Sequence, residues 1–231
     1  MNVLDPDLLL RAYVIGVFPM SDSRDAKEVF WVEPRRRAII PLDGFRLSRS
    51  LRKTIRSGSF TVTHDTAFSD VVALCAEREE TWINATIEAS FAELHRLGHA
   101  HSIECWQEGS LVGGLYGVKL GSAFFGESMF SRRTDASKVA LAWLVARMKV
   151  GGFQLLDCQF MTEHLRSLGA VEITQEDYVS MLSDALSSSG AGAGRGAEFG
   201  ALERLLSSDP SRTTDSAAAG CVIAQLLGQT S

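Results

Sequence analysis

The chain has 231 residues, 45% of them hydrophobic and 22% charged, and its formal net charge is −5, which describes an ordinary soluble globular protein. No run is long and apolar enough to span a membrane, since Arg11 interrupts the stretch at residues 8–20, and no basic region precedes that stretch as in a signal peptide. The four cysteines have no CxxC spacing, so we expect neither disulfides nor a zinc site, and we expect a cytoplasmic protein.

The first predicted elements carry most of the positive charge. Residues 5–15 are predicted to form a helix that ends at Gly16, and an extended segment follows at 37–40. Ser48 is a candidate N-cap for a helix over 48–56 with a narrow apolar stripe. On this helix the basic residues recur at i, i+3, i+4 and i+7 and share one face: Arg49, Arg52, Lys53 and Arg56.

The charge of this segment distinguishes between two interpretations. Residues 35–56 contain eight basic residues and one acid, a net +7 that leaves −12 for the rest of the chain. A solvated helix face is the usual interpretation of such a run. Here no acid at i+4 neutralises the stripe, so the like charges repel one another, and we favour binding of phosphate groups.

The remaining pattern predicts a mixed sheet flanked by helices. Strands are predicted at 60–64, 101–107, 111–120, 122–129, 153–158 and 171–173, and helices at 67–76, 86–97, 137–150, 162–168 and 174–186. From residue 101 the order is thus β-β-β-α-β-α-β, and its first three strands form an antiparallel meander. The predicted fold class is therefore α+β.

Composition divides the chain into three predicted parts. Residues 1–60 form a small N-terminal domain with the basic helix, and residues 61–186 form the main domain. From residue 187 a run of Ser, Gly and Ala predicts a flexible linker, followed by a weakly ordered tail with weak helical stretches near 200–207 and 216–227.

Glu127 is the unusual residue of an apolar, aromatic run. A carboxylate there is costly to desolvate unless it is paired. A functional role and a structural one (a bulge, a turn or an ion pair with a nearby arginine) both remain open. Trp82, in a charged loop between helices, is either core filler or a platform for stacking a base.

Asp157 and Gln159 end a buried strand, where open α/β sheets commonly place ligands. Strand alternation predicts that these two side chains share one face and that Cys158 lies on the other. A thiol nucleophile formed by Cys158 with His164 is not favoured, because no third residue completes it. The histidines at 95, 99 and 101 lack a carboxylate or cysteine to complete a metal site, so we expect no metal.

The order β-β-β-α-β resembles that of the GNAT acyltransferases. Those enzymes hold the pyrophosphate of acetyl-CoA on a glycine-rich turn before the helix. The corresponding turn here, residues 132–138, has no glycine and carries an acid at Asp135. Backbone amides cannot easily approach a pyrophosphate there, so acyl transfer without coenzyme A is expected.

Many short motifs together resemble the bacterial leucyl/phenylalanyl-tRNA–protein transferases, from about residue 8 to residue 180. They include Gly-Val-Phe-Pro at 16–19, Ser-Arg-Ser-Leu at 48–51, Thr-Trp-Ile at 81–83, the run at 97–104, the run at 111–118, Phe-Gly-Glu-Ser-Met-Phe-Ser-Arg at 125–132, Asp-Cys-Gln at 157–159 and Ser-Leu-Gly-Ala at 167–170. Each motif is weak alone, and the set is specific. The tail lies outside the resemblance.

The resemblance implies an enzyme that moves leucine or phenylalanine, and methionine less well, from tRNA to the N-terminal arginine or lysine of a protein, marking that protein for degradation. It implies a small N-terminal domain, a GNAT-like C-terminal domain and no cofactor. Its partners would be aminoacyl-tRNA and acceptor proteins, with no membrane, and the chain would be a monomer. The implied site residues are Asp157 and Gln159 for activating the acceptor amine; Leu115, Phe124, Met148 and Glu127 for the aminoacyl pocket; Trp82 for stacking on the terminal adenine; and Arg49, Arg52, Lys53 and Arg56 for the tRNA backbone.

Other functions are compatible with parts of this pattern. A tRNA-dependent peptidoglycan peptide ligase of the Fem type would share the scaffold, but it would need a second basic cluster for its anionic precursor. An acetyl-CoA acetyltransferase conflicts with the turn at 132–138. A non-catalytic tRNA-binding module would explain the basic segment and Trp82 but would leave Glu127 and Asp157 without a role.

Overall fold

A computed structural model describes residues 3–187, 197–208 and 215–228. The helices are α1 (Pro6–Val14), α2 (Arg49–Arg56), α3 (Phe68–Ala76), α4 (Ala85–Arg96), α5 (Ala136–Gly151), α6 (Glu163–Ser167), α7 (Gln175–Ser187), α8 (Ala201–Ser207) and α9 (Ser216–Leu226). The strands are β1 (Phe18–Met20), β2 (Phe30–Val32), β3 (Arg36–Ile39), β4 (Thr61–His64), β5 (Ala100–Gln107), β6 (Ser110–Leu120), β7 (Ala123–Ser131), β8 (Leu155–Gln159) and β9 (Val171–Thr174).

Seven of these strands form one mixed sheet in the order β4-β5-β6-β7-β8-β3-β9. Strands β7 and β8 run parallel, and the other neighbours are antiparallel. The predicted meander is β5-β6-β7, so the α+β class and the order of elements are confirmed. A second sheet pairs β1 with β2 and was not predicted, because strands of three residues are too short for a period to show.

Helices cover both faces of the main sheet and create two apolar cores. One core is built with α2, α5, α8 and α9, and the other with α1, α3, α4 and α7. Helix α5 lies between the sheet and other helices, and therefore 12 of its 16 residues are buried. The predicted cap of α2 is also present: the Ser48 side chain accepts a hydrogen bond from the amide of Leu51.

The first two predicted parts of the chain share the main sheet, and the described residues of the tail pack into one of its cores. Strand β3 comes from the predicted N-terminal domain but lies between β8 and β9. The boundary near residue 60 therefore divides one sheet, and it stays a prediction. Within the described residues, no helix is long and apolar enough to cross a membrane.

The tail has two helices where weak helical stretches were predicted, α8 and α9. Their apolar side chains belong to the core around α5, and Leu202 and Ile223 are fully buried there. These described residues are thus packed, which composition did not indicate. Of the predicted linker at 187–196, Ser187 is the last residue of α7, and residues 188–196 lie outside the described residues.

Candidate active site

The candidate site lies where the parallel strands β7 and β8 separate. Their pairing runs from Ala123 opposite Leu155 to Phe125 opposite Asp157. Beyond this point β8 ends at Gln159, whose backbone has φ 59°. This left-handed conformation is uncommon for a residue other than glycine and turns the side chain away from the regular alternation. A cavity of about 430 Å³ opens beside it.

The walls of this cavity are mostly apolar, and its polar groups are few. Leu115 comes from β6, Leu141 and Leu144 come from α5, and Leu156 comes from β8. The other lining residues include Arg78, Trp82, Tyr116, Glu127, Ser128, Met129, Cys158, Gln159, Phe160 and His164. An apolar pocket with a few placed polar groups is typical of a small-molecule site.

Glu127 is only 7% exposed and is held by two neutral donors. Its Oε1 atom accepts hydrogen bonds from Tyr13 Oη at 2.8 Å and from Gln159 Nε2 at 2.8 Å. Burial raises the pKa of Glu127 to about 8, because the charged form loses its hydration. The charge of Arg37 favours the ionised form of Glu127, but Arg37 forms its ion pair with Asp157.

Asp157 is fully buried, and its carboxylate is occupied by protein donors. Arg37 donates to it from Nε at 2.9 Å and from Nη2 at 2.6 Å. Tyr178 Oη donates at 2.9 Å, and the backbone amide of Gln159 donates at 2.8 Å. Asp157 therefore anchors the end of β8 and does not line the cavity.

This arrangement corrects the alternation predicted for the end of β8. Asp157 and Gln159 were expected on one face, with Cys158 on the other. Instead Cys158 and Gln159 both line the cavity, and Asp157 does not. The physical reason is the left-handed backbone of Gln159, which the amide hydrogen bond to Asp157 holds in place.

Three buried polar atoms in residues that line the cavity have no hydrogen-bond partner within the described part of the chain. They are Glu127 Oε2, Tyr116 Oη and His164 Nε2. Burial, together with the nearby charge of Lys138, lowers the pKa of His164. Because buried polar atoms are usually paired, these three atoms are exceptions in the wall of the cavity.

The structure brings together some of the predicted pocket residues and not others. Leu115, Glu127, Trp82 and Gln159 all line the cavity. Phe124 and Met148 do not line it. They are fully buried in the same apolar cluster as Leu115.

Several lining residues were not predicted from the sequence, among them Leu141, Leu144 and Tyr116. Leu141 and Leu144 lie three apart on α5, a spacing that puts them on one face. Since α5 is apolar nearly all round, this spacing could not identify which face meets a cavity. Tyr116 gave no signal, because it lies within the apolar run of β6.

The predicted basic stripe lies on the exposed face of α2. Arg49, Arg52, Lys53 and Arg56 line a groove away from the cavity, together with Ser57 and Cys221. Among the residues the structure describes, none of the four forms an ion pair. Opposite them, α2 buries Leu51 and Ile55.

The histidines considered for a metal have other partners. His101 Nδ1 lies 2.7 Å from Asp65 Oδ2, and His95 Nδ1 lies 2.8 Å from the carbonyl oxygen of Ala100. Within the described residues, no group of three or more His, Cys, Asp or Glu side chains is placed to hold a metal ion.

The family models and the curated relatives that match this chain carry the same family name. The family model of leucyl/phenylalanyl-tRNA protein transferase matches residues 39–183, and the model of its N-terminal domain matches residues 2–35. The leucyl/phenylalanyl-tRNA–protein transferase of Rhizorhabdus wittichii is 61% identical over an alignment that covers 100% of both chains. The protein of that name from Zymomonas mobilis is 63% identical over 81% of this chain and 71% of its own length. A solved structure, that of L-PGS from Bacillus licheniformis, covers 70% of this chain and 55% of its own, with 14% identity and a TM-score of 0.38.

Proposed function

The chain belongs to the leucyl/phenylalanyl-tRNA–protein transferase family, and we propose that it moves leucine or phenylalanine from tRNA to the N-terminal arginine or lysine of a protein. The chain is an aminoacyltransferase, and its substrates are an aminoacyl-tRNA and a protein. The transfer marks the acceptor protein for degradation. Methionine is the poorer donor, and the enzyme acts as a monomer in the cytoplasm.

The cavity between β7 and β8 is the observation that supports this function most directly. Its volume of about 430 Å³ lies within the roughly 300–1,000 Å³ of small-molecule sites. Leu115, Leu141 and Leu144 offer the apolar surface that a leucine or phenylalanine side chain needs. Phe124 and Met148, in the same apolar cluster, support that wall. In this proposal the pocket holds the aminoacyl side chain.

Trp82 lies on the lining of the same cavity and is partly buried. Its carbonyl oxygen accepts a hydrogen bond from Ser21 Oγ at 2.8 Å, which holds the loop in place. In the proposed complex its ring stacks on the terminal adenine of the tRNA, because an indole face binds any base by stacking. The ester bond then lies between Trp82 and the leucine wall.

The transfer itself needs little more than positioning. The acceptor α-amine has a reference pKa of about 7.7–8.0, so a useful fraction is neutral at cellular pH. Its nitrogen attacks the ester carbonyl carbon, a C–N bond forms, and the C–O bond to the terminal ribose breaks. The proton lost by the amine goes to the departing ribose oxygen, so no cofactor is required.

Gln159 is the residue proposed to orient the amine, since its side chain lies at the cavity. Its Nε2 atom donates to Glu127, which leaves the amide oxygen to accept a hydrogen bond from the attacking nitrogen. Asp157 is a positioning residue in this proposal. It acts through the backbone amide of Gln159 and is itself covered by Arg37 and Tyr178.

Glu127 lines the same cavity as Gln159, and its buried Oε2 atom has no hydrogen-bond partner among the described residues. With a pKa of about 8, Glu127 is largely protonated at neutral pH in the empty enzyme. Binding of the aminoacyl α-ammonium group would favour the ionised form, because an adjacent cation lowers the pKa of a carboxyl group. The proposed partner of Oε2 is therefore that ammonium group.

The test uses Phe-tRNA labelled in the phenylalanine and a peptide that begins with arginine. The expected product is the peptide extended by one phenylalanine, formed equally well with and without acetyl-CoA. A peptide with an acetylated N-terminus is the matched control, because it keeps the arginine side chain and removes the nucleophile. Transfer to the acetylated peptide, or dependence on acetyl-CoA, would overturn the proposal.

Substitutions at two positions test the assigned residues in that assay. Trp82→Ala should raise the KM for Phe-tRNA by about 10- to 100-fold, since stacking on a base contributes roughly 1–3 kcal/mol, and Trp82→Phe should restore most of the binding. Gln159→Ala should lower kcat with little change in KM. Near wild-type kcat for Gln159→Ala would show that Gln159 does not act on the amine.

A further inference from the structure

The C-terminal segment, residues 197–208 and 215–228, lies beyond the last residue matched by the family model yet packs against the basic helix. Helix α9 contacts α2 and the turn that follows it through two glycines, Gly220 on α9 and Gly58 in the turn. A Cβ atom at Gly220 would lie 2.0 Å from the carbonyl oxygen of Ile55, and one at Gly58 would lie 2.7 Å from the amide nitrogen of Ala217. The two backbones therefore approach more closely than any side chain would permit.

A second anchor holds the same segment against α5. The Phe199 ring stacks on His101 with 4.1 Å between ring centroids, and the guanidinium of Arg147 lies 4.7 Å from the Phe199 ring centre. Arg147 is only 2% exposed and donates from Nη1 to Glu203 Oε2 at 2.6 Å. Because a buried guanidinium is costly without its partner, Glu203 ties the segment firmly to the core.

Helix α2 needs such support, because it has only eight residues and carries like charges. Helices of this length are marginal by themselves, and like charges at i and i+4 destabilise them further. Packing of Leu51 and Ile55 must therefore supply its stability. The close contact at Gly220 places α9 directly against this buried side of α2.

The exposed sides of the two helices form one groove of about 510 Å³. Helix α2 contributes four cations, and α9 contributes Cys221. The sequence of α9 from residue 216 to residue 226 contains no charged residue, so no acid on this wall opposes an anion. A strip of cations beside a neutral wall fits a phosphate backbone.

We propose that the C-terminal segment is part of the tRNA-binding surface. Helix α9 forms the second wall of the groove that holds the tRNA phosphate backbone, and Gly220 positions the basic helix α2 by allowing the close approach. The occupant of the groove is the body of the donor tRNA. This inference rests on the proposed aminoacyl transfer, and it adds a binding element outside the part of the chain that the family model matches.

The first test replaces Gly220 by alanine. The added methyl group meets backbone atoms of Ile55, so α9 and α2 must separate. Gly200→Ala is the matched control, since no atom lies within 4 Å of its Cβ position. Two aminoacyl donors are assayed with the same arginine-initiated acceptor peptide. One is Phe-tRNA, and the other is the phenylalanyl ester of adenosine, which represents only the 3′-terminal nucleoside of the tRNA.

The two donors distinguish a binding role from a merely structural one. Gly220→Ala should raise the KM for Phe-tRNA by about tenfold and flatten its dependence on salt, because phosphate contacts are lost. Its kcat, and its kinetics with the adenosine ester, should match those of Gly200→Ala. Equal losses with both donors would refute the positioning role. If the wild type transfers from neither donor, it is the proposed function that fails.

A second variant changes the charge of the groove without disturbing the helix contact. Cys221 is exposed on α9, and Cys221→Glu adds an anion to the groove, whereas Cys221→Gln adds a neutral side chain of the same length. Cys221→Glu should weaken tRNA binding several-fold at low salt and less at high salt. Equal affinities of the two variants at low salt would overturn the proposal, even if Gly220→Ala did not fold.

Discussion

Glu127→Gln is the substitution that most directly examines the buried carboxyl group of the cavity. Glutamine keeps an oxygen that can accept the hydrogen bonds from Tyr13 and Gln159, so the shape of the site is preserved. It removes the titration of a group whose pKa burial raises from the ordinary value of 4.5 to about 8. The substitution therefore separates the charge of Glu127 from its packing.

The sign and the size of the effect follow from this shift. A carboxyl group with a raised pKa in the folded state binds its proton more tightly there than in the unfolded chain. Its stabilising contribution is complete below pH 4.5 and is lost as the pH rises through about 8. The loss amounts to about 1.4 kcal/mol per pH unit, or on the order of 3 kcal/mol at pH 7.

The assay is urea denaturation of the wild type and Glu127→Gln between pH 5 and pH 9. The free energy of unfolding of Glu127→Gln should exceed that of the wild type by an amount that grows from pH 5 to pH 8 and then levels off. Glu176→Gln, on the exposed surface of α7, is the matched control. A difference that stays constant across this pH range would refute the assignment of a raised pKa.

Three further substitutions test the supports of the fold. Tyr178→Phe removes the hydrogen bond to Asp157 and should lower the free energy of unfolding by about 1–2 kcal/mol in urea. Phe199→Ala leaves a void beside α5, and a thermal or urea scan should show a loss of about 3–5 kcal/mol. Burial opposes ionisation of Glu203, but hydrogen bonds from His64 and Arg147 outweigh it and lower the pKa of Glu203 to about 2. The wild type therefore loses stability as the pH falls from 4.5 toward 2. Glu203→Gln should be less stable at pH 7 and lose less on acidification, and unchanged acid unfolding would contradict this.

Much of the fold could be predicted because its signals are local. Ser48 caps α2, and the spacing of the basic residues on that helix follows from its period alone. The meander of β5, β6 and β7 could likewise be predicted, since each strand has turn residues beside it. Strands β1 and β2 were not predicted, because a strand of three residues is too short to show a period. The order β8-β3-β9 could not be derived, because its pairings join segments that are distant in the sequence.

The candidate site was predicted only in part. Trp82, Leu115, Glu127 and Gln159 came from motifs and from a carboxylate in an apolar run, and all four line the cavity. The direction of the side chains at the end of β8 was wrong, because the left-handed backbone of Gln159 depends on a hydrogen bond to Asp157.

By itself the sequence determined the family, the order of elements and the charge of α2, since each of these depends on patterns among residues close together in the chain. Only the tertiary structure decided what Asp157 and Glu127 contact. Arg37 is 120 residues from Asp157 in the chain, and Tyr13 is 114 residues from Glu127. The same holds for α9, whose small, uncharged residues predict a loose tail, whereas the close contact at Gly220 places it against the basic helix. Contacts between distant segments depend on how whole elements pack, and no local pattern encodes that packing.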